Sequence, residues 1–287
     1  MTVCLLSPVW PDYRRFAPLL SRCLERFWPD HPPLAFTGLI EWGLPGDVIE
    51  VDKSTLRNWS ASLRQGVREV RRRGFTHAYL IAEEHLPLAD CHSEHLGGTI
   101  PRLAGEVGAH YVSLMGWDNR RYASKSPKWG PYDWMHLVGL NDPRFHLHPA
   151  FWNLETLEAC CELALENPVA NGSAWHFEKV CARAGDRLPS RDCYQISAAA
   201  MSGSGRAAAG ADRWVFNRLM AAFPYLPAGL SRRLWRGLRF DNVYCDGPYP
   251  MVFSGALAKG TLNPALVKFR DRVPADLMAE IECLAAE

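Results

Sequence analysis

Along the first hundred residues, short apolar runs alternate with stripes of helical spacing. Val3 to Val9 is a short apolar run ending at Pro8-Val9-Trp10-Pro11, which predicts a buried strand followed by a loop. From Tyr13 to Phe27 the apolar positions Phe16, Leu19, Leu20, Cys23, Leu24 and Phe27 share one helical face, with Arg14, Arg15, Arg22 and Arg26 opposite. Leu34 to Ile40 and Val48 to Val51 read as two more strands. Asn58 is placed to cap a helix with the stripe Leu63, Val67, Val70, closing on Arg71-Arg72-Arg73-Gly74. Ala78 to Ala82 is the clearest strand, and it runs straight into Glu83-Glu84-His85. This alternation predicts an α/β three-layer sandwich with a mostly parallel central sheet, in which ligands sit beyond the carboxyl ends of the strands. The polar exits at Ser7–Asp12 and Glu83–His85 are therefore expected close together.

The second half is less regular. Tyr111 to Met115 and His146 to Trp152 read as strands. Glu155 to Leu165 and Trp175 to Ala184 read as helices. Gly116 to Asp142, with Trp117, Tyr122, Trp129, Tyr132 and Trp134, reads as one long loop, and loops of that length usually carry function. Residues 199–211, rich in Ala, Gly and Ser, read as a flexible segment. Val243–Cys245 and Pro250–Phe253 suggest closing strands, followed by helices at Pro264–Arg270 and Pro274–Ala285. No internal repeat or long linker divides the chain.

Composition narrows the class. With 48% hydrophobic and 22% charged residues the chain has the makings of a folded core. A net charge of +1 argues against a nucleic-acid binder, which normally carries a basic excess. No stretch of 18 apolar residues occurs and the start lacks a basic leader, so a cytoplasmic protein without a transmembrane segment is expected. Nine scattered cysteines fit free thiols in a reducing compartment. Cys91-His92-Ser93-Glu94-His95 lacks a second element at zinc-finger spacing.

Three constellations could carry chemistry. Glu83-Glu84-His85, directly after a buried strand, is costly there unless it binds something, and carboxylates at such a position suit a divalent cation against a diphosphate. His85 adds a nitrogen ligand acceptable to manganese. In Gly172-Ser173-Ala174-Trp175-His176-Phe177-Glu178, Trp175 and Glu178 lie at i and i+3; an aromatic beside a carboxylate would dry it and raise its pKa, as a general base requires. Ser254-Gly255-Ala256-Leu257-Ala258-Lys259-Gly260 sets small residues around one Lys, which allows close approach to an anion, though the spacing is not that of a Walker loop. Gly203-Ser204-Gly205 follows an alanine run and makes neither a dinucleotide fingerprint nor a nucleophile elbow. His92, His95, His110, His136, His146 and His148 show no metalloprotease pattern and read as scattered loop residues.

In order, these pieces resemble bacterial GT-A-type glycosyltransferases, nucleotide-sugar-dependent enzymes of surface-polysaccharide synthesis. The likeness rests on Ser7-Pro8-Val9-Trp10-Pro11-Asp12, Asn58-Trp59-Ser60, Glu83-Glu84-His85, Pro149-Ala150-Phe151-Trp152 with Glu155-Thr156-Leu157, Asn167-Pro168 through Glu178, and Val243–Cys245 with Gly255–Gly260. It implies a GT-A, Rossmann-like sandwich over residues 1–287, with a nucleotide-binding half (1–116) and an acceptor-binding half (117–287). It implies donor contacts from Pro8, Val9, Trp10, Asp12, Asp52, Asn58, Trp59, Glu83, Glu84 and Lys259. Acceptor contacts fall to Trp117, Asp118, Trp152, Trp175 and His176, and catalysis to Glu178. Glu84 and His85 would hold manganese or magnesium. The family's acidic pair is usually Asp; Glu displaces the carboxylate by about one methylene, a distortion magnesium tolerates poorly, so Lys259 is given a share in neutralising the diphosphate. The implied reaction is an inverting transfer from a nucleotide-sugar to a hydroxyl of a glycan or lipid-linked acceptor, which leaves peripheral membrane association open. The rival readings are a catalytically degenerate nucleotide-sugar-binding protein on the same fold and a metal-dependent hydrolase built on Glu83, Glu84 and His85.

Overall fold

The computed structural model describes residues 1–115, 123–125, 129, 132, 134–137, 145–167, 172–182, 187–188, 192–196, 201–202, 244–252, 255–258 and 260–287. Trp117, Asp118, Lys259 and all of 199–211 except Met201–Ser202 lie outside them. The strands are β1 (Val3–Pro8), β2 (Leu34–Gly38), β3 (Asp47–Glu50), β4 (His77–Leu80), β5 (Tyr111–Ser113), β6 (Ala123–Lys125), β7 (Trp134–Leu137), β8 (Ala150–Asn153) and β9 (Cys193–Ile196). They form one sheet in the order β3-β2-β1-β4-β8-β5-β9-β7-β6. β3, β2, β1 and β4 are mutually parallel, and only β8 and β7 run against the rest. The expected three-layer α/β sandwich with a mostly parallel sheet is what the chain forms.

The period-2 pattern of the strands sorts their side chains between two cores. Leu5, Phe36, Tyr79, Val112, Phe151 and Ile196 face one layer. It contains α1 (Ala17–Phe27), α3 (Ile100–Val107), α6 (Pro264–Lys268) and α7 (Ala275–Ala286). Cys4, Leu6, Ala35, Ala78, Tyr111 and Trp152 face the other, against α2 (Trp59–Arg72), α4 (Leu154–Glu166) and α5 (Ala174–Ala182). The α1 stripe Leu19, Leu20, Cys23, Leu24 and Phe27 is buried as its spacing predicts. α2 opens where Asn58 Oδ1 accepts the Ala61 amide (3.1 Å) and is followed by Gly74 at φ +90°. Gly66 lets α2 press onto β2: a Cβ there would lie 2.3 Å from Thr37 Cγ2.

Several expectations change. The helix expected from Tyr13 begins as a 3-10 turn, Pro11–Phe16, and becomes α-helical only at Ala17. Pro18 is the reason, since a proline ring is accepted in a helix's first turn but clashes with the preceding turn further in. The strand expected from His146 starts at Ala150, after Pro149, which has no amide to give a ladder. The long loop 116–142 contains β6 and β7, and β7 pairs with β9. Sequence spacing does not announce β9 or α3. β9 has four residues, all buried, and α3 carries Pro101 in its first turn behind a five-residue π-helical turn, His95–Thr99.

Near the C-terminus, β10 (Met201–Ser202), β11 (Tyr244–Cys245) and β12 (Met251–Val252) form a small antiparallel sheet. β13 (Leu257–Ala258) and β14 (Thr261–Leu262) form a hairpin. α7 lies along α1, where Arg26 pairs with Asp276 (2.6 Å), Arg22 pairs with Glu280, and Arg15 Nε donates to the Leu284 carbonyl (2.7 Å). All nine cysteines are free, and only Cys283 is exposed. Among the described residues no helix is long and apolar enough to cross a membrane.

Candidate functional site

The carboxyl ends of β1 and β4 meet. β1 pairs with β4 through Leu6↔Leu80, and the Ile81 amide donates to the Leu6 carbonyl (3.1 Å). Beyond the sheet the chain turns, and Glu83 folds back so that its Oε1 accepts the Trp10 amide at 2.7 Å. That bond ties the two strand exits into one wall. Glu83 is only 2% exposed. Next to it, Glu84 Oε2 and His85 Nδ1 are buried with no hydrogen-bond partner. Burial pushes both carboxyl groups above the ordinary carboxylate range, and the Glu83 charge raises Glu84 further. Burial also pushes the His85 imidazole down to about 4. This is an arrangement that favours neutral groups unless a cation or proton-donating ligand arrives.

The other residues expected on the donor side are exposed or are used locally. Asp12 is exposed, with Oδ1 3.7 Å from Arg57 Nη2, so the β1 exit faces the approach to α2. Asp52 is exposed and accepts the Ser54 amide (2.8 Å), a local cap that lowers its pKa. Asn58 is used by the α2 cap, and the Trp59 amide donates to the Gly172 carbonyl (2.6 Å). Gly172 is needed there, since a Cβ would fall 2.8 Å from Asn58 Cγ.

Glu178 sits on α5 with Oε1 accepting the Leu147 amide (2.8 Å) and 3.9 Å from His146 Nδ1. Burial raises its pKa, and the Leu147 bond partly offsets this. His146, His148 and His85 make a row leading back to the acidic turn: His146–His148 centroids are 6.2 Å apart and His148–His85 centroids 5.8 Å. The sequence reading takes His146 and His148 as scattered loop residues; the structure gathers them beside His85. Their signal was the alternation His146-x-His148 in an extended segment, where residues two apart point the same way.

Five of the expected site residues take other parts. Trp152 is fully buried between Tyr111, Phe145 and Phe177, so it is core and cannot touch an acceptor. Val9, 5% exposed, and Trp59, 7% exposed and edge-on to Phe177 at 5.3 Å, also spend their side chains on packing. Trp175 does not dry Glu178: it is 62% exposed, with Lys179 Nζ 5.3 Å over its ring. Its neighbour Phe177 is the buried aromatic of that helix. Pro8 is buried as the last residue of β1, paired with Thr37. His176 Nε2 lies 2.7 Å from the Asn167 carbonyl.

Tyr249, which sequence spacing does not mark, and Ala256, from the small-residue run that it does, hold the backbone of the acidic turn. Tyr249 Oη donates to the His85 carbonyl (2.7 Å) and the Ala256 amide donates to the Glu84 carbonyl (2.7 Å). Among the described residues no group of three or more His, Cys, Asp or Glu is arranged to hold a metal by itself. The orphaned Glu84 Oε2 and His85 Nδ1 fit a divalent cation only if substrate oxygens or water complete its shell.

No family model matches the chain, and no curated protein matches it. Among solved structures it is similar to a protein described as mannose-1-phosphate geranyltransferase from Thermus thermophilus. That match has 16% identity and TM-score 0.40, and covers 68% of this chain and 74% of that one. It is also similar to a glycosyltransferase involved in glycosylating the major capsid of PBCV-1, with 11% identity, TM-score 0.33, and coverage of 67% and 79%. A third is a nucleoside-diphosphate-sugar pyrophosphorylase from Vibrio cholerae, with 9% identity, TM-score 0.32, and coverage of 62% and 86%.

Proposed function

We propose that this protein transfers a sugar from a nucleoside-diphosphate donor to an acceptor hydroxyl. The observation that carries the reading is the joined exit of β1 and β4, where the Trp10–Glu83 bond sets two unsatisfied polar atoms, on Glu84 and His85, beside the rim where nucleotides bind in sheets of this topology. Buried polar atoms without partners are costly, and a phosphate-bound cation or a donor hydroxyl would satisfy them.

Glu178 is the general base of this proposal. A raised pKa makes its carboxylate a stronger base, and the Leu147 amide fixes the position of one oxygen. As the acceptor oxygen forms its bond to the anomeric carbon, its proton passes to Glu178. The bond from that carbon to the diphosphate breaks, and the electron pair leaves with the nucleoside diphosphate. A divalent cation held by Glu84 and His85 would supply neutralisation of the departing charge. Lys259 shares that task in the proposal. Asp12, Asp52 and Trp10 frame the nucleotide, and Trp175 and His176 the acceptor, with Trp117 and Asp118 joining them by sequence position.

Glu178→Gln tests the base directly. The proposal expects donor affinity within about twofold of wild type and a loss of transfer of roughly 10² to 10⁴, the usual worth of a positioned base. The acid limb of the wild-type rate profile should fall above the ordinary Glu value of 4.5, because the raised pKa must be exceeded before the carboxylate forms. Retained turnover in Glu178→Gln overturns the assignment. Donor binding without turnover in the wild type selects the degenerate binding protein instead.

A further inference from the structure

We infer that the C-terminal hairpin β13–β14 and its flanks form a strap that sets the position of Glu84 and His85, with Asn263 as its positioning residue. This rests on the donor-binding reading above for its functional consequence, and on geometry alone for its physical one.

The strap meets the acidic turn through backbone. The Glu84 carbonyl accepts the Ala256 amide at 2.7 Å, and the His85 carbonyl accepts Tyr249 Oη at 2.7 Å. Gly255 makes the close approach feasible. It has φ +76°, and a Cβ there would lie 2.8 Å from the Glu84 carbonyl oxygen, 2.8 Å from His85 Cδ2 and 3.0 Å from Glu84 Cγ. A side chain at 255 would therefore both strain the backbone and push on the two residues whose polar atoms are unsatisfied.

Asn263, 2% exposed, locks the strap in that place. Its amide donates to the Ala256 carbonyl (2.9 Å), its Nδ2 donates to the Gly255 carbonyl (2.8 Å), and its Oδ1 accepts the Ala265 amide (2.9 Å) to cap α6. One side chain thus joins the helix start to the residue pressed against Glu84. Both backbone carbonyls of the turn are tied by the strap, while the buried Glu84 Oε2 and His85 Nδ1 have no hydrogen-bond partner. Holding the backbone of the turn in this way fixes where those two side chains point, which is what a ligand contact needs.

Asn263→Asp separates the roles: the Oδ1 cap on Ala265 survives, and the donation to Gly255 is lost. Thr261→Val is the control, removing a hydrogen bond of the same hairpin, Thr261 Oγ1 to the Ala258 carbonyl (2.9 Å), that does not reach the acidic turn. Titration calorimetry with uridine, guanosine, cytidine and thymidine diphosphates, with manganese present, should show the nucleotide that binds wild type weakened roughly tenfold in Asn263→Asp and more in Gly255→Ala. Thr261→Val should bind as wild type. Hydrogen exchange over residues 82–86 should speed up in Asn263→Asp and not in Thr261→Val. Unchanged affinity and unchanged exchange in Asn263→Asp overturn the strap. Absence of nucleotide binding in wild type overturns the donor reading instead, and the exchange measurement still decides the strap.

Discussion

At the scale of single residues, burial decides what each candidate can do. Glu83, Glu84, His85 and Glu178 are held in surroundings that oppose charge, whereas Asp12 and Asp52 are exposed. Glu83, Glu84 and His85 were legible as a polar cluster after an apolar strand, and Glu178 as a carboxylate three residues on from Trp175. Their partners were not, because the Trp10 amide and the Leu147 amide reach them through folding rather than through spacing. The aromatics show the limit most clearly. Trp152 and Trp175 look alike in sequence, yet one is core and the other is a solvent-facing ring under Lys179. His95 gives a residue-scale prediction. It is 1% exposed, stacked on Trp134 at 5.8 Å, and burial lowers its pKa to about 4. A depressed folded pKa contributes stability above the ordinary value of 6.5 that is lost as pH falls from there to about 4. His95→Phe, which cannot be protonated, should therefore gain on wild type by on the order of 1 kcal/mol between about pH 7 and pH 5 in urea unfolding. A constant difference across that range contradicts the buried neutral imidazole.

At the scale of elements, periodicity supplies the frame and prolines move its edges. The helical stripes of α1 and α2 and the strands β1 to β4 follow from spacing, with Pro18 and Pro149 shifting where regular structure begins. β6 and β7 were hidden in what reads as a loop, since strands of three and four residues are too short to show a period and are fixed by pairing with β9. The same reasoning explains the strap: two-residue strands β13 and β14 carry no periodic signal, and only the small residues at 254–258 hinted at a close approach. Asn58 gives a prediction at this scale. It caps α2, whose first turn also takes the Gly172 carbonyl, so Asn58→Ala should cost about 1 kcal/mol of stability in urea or thermal unfolding. A loss within error of zero would mean that the Gly172 contact alone fixes the helix start.

At the scale of the molecule, two cores on either side of one sheet leave the carboxyl ends of β1 to β4 on a common rim, and the C-terminal residues return to back the acidic turn. The ion pairs joining α7 to α1 are exposed and add little individually. Apolar burial of Leu277, Met278 and Ile281 holds that return in place. The mostly parallel sandwich was readable from alternation of elements; the strand order, the convergence of Glu83 on Trp10, and that of His146 and His148 on His85 needed the chain crossing between distant segments. The central claim is that this rim takes a nucleoside-diphosphate sugar through Glu84. Equilibrium binding of uridine-, guanosine-, cytidine- and thymidine-diphosphate sugars to wild type and to Glu84→Gln tests it most directly. The account predicts that one base series binds wild type and that Glu84→Gln weakens it at least tenfold with the fold intact. Equal binding by both proteins, or none by either, contradicts it.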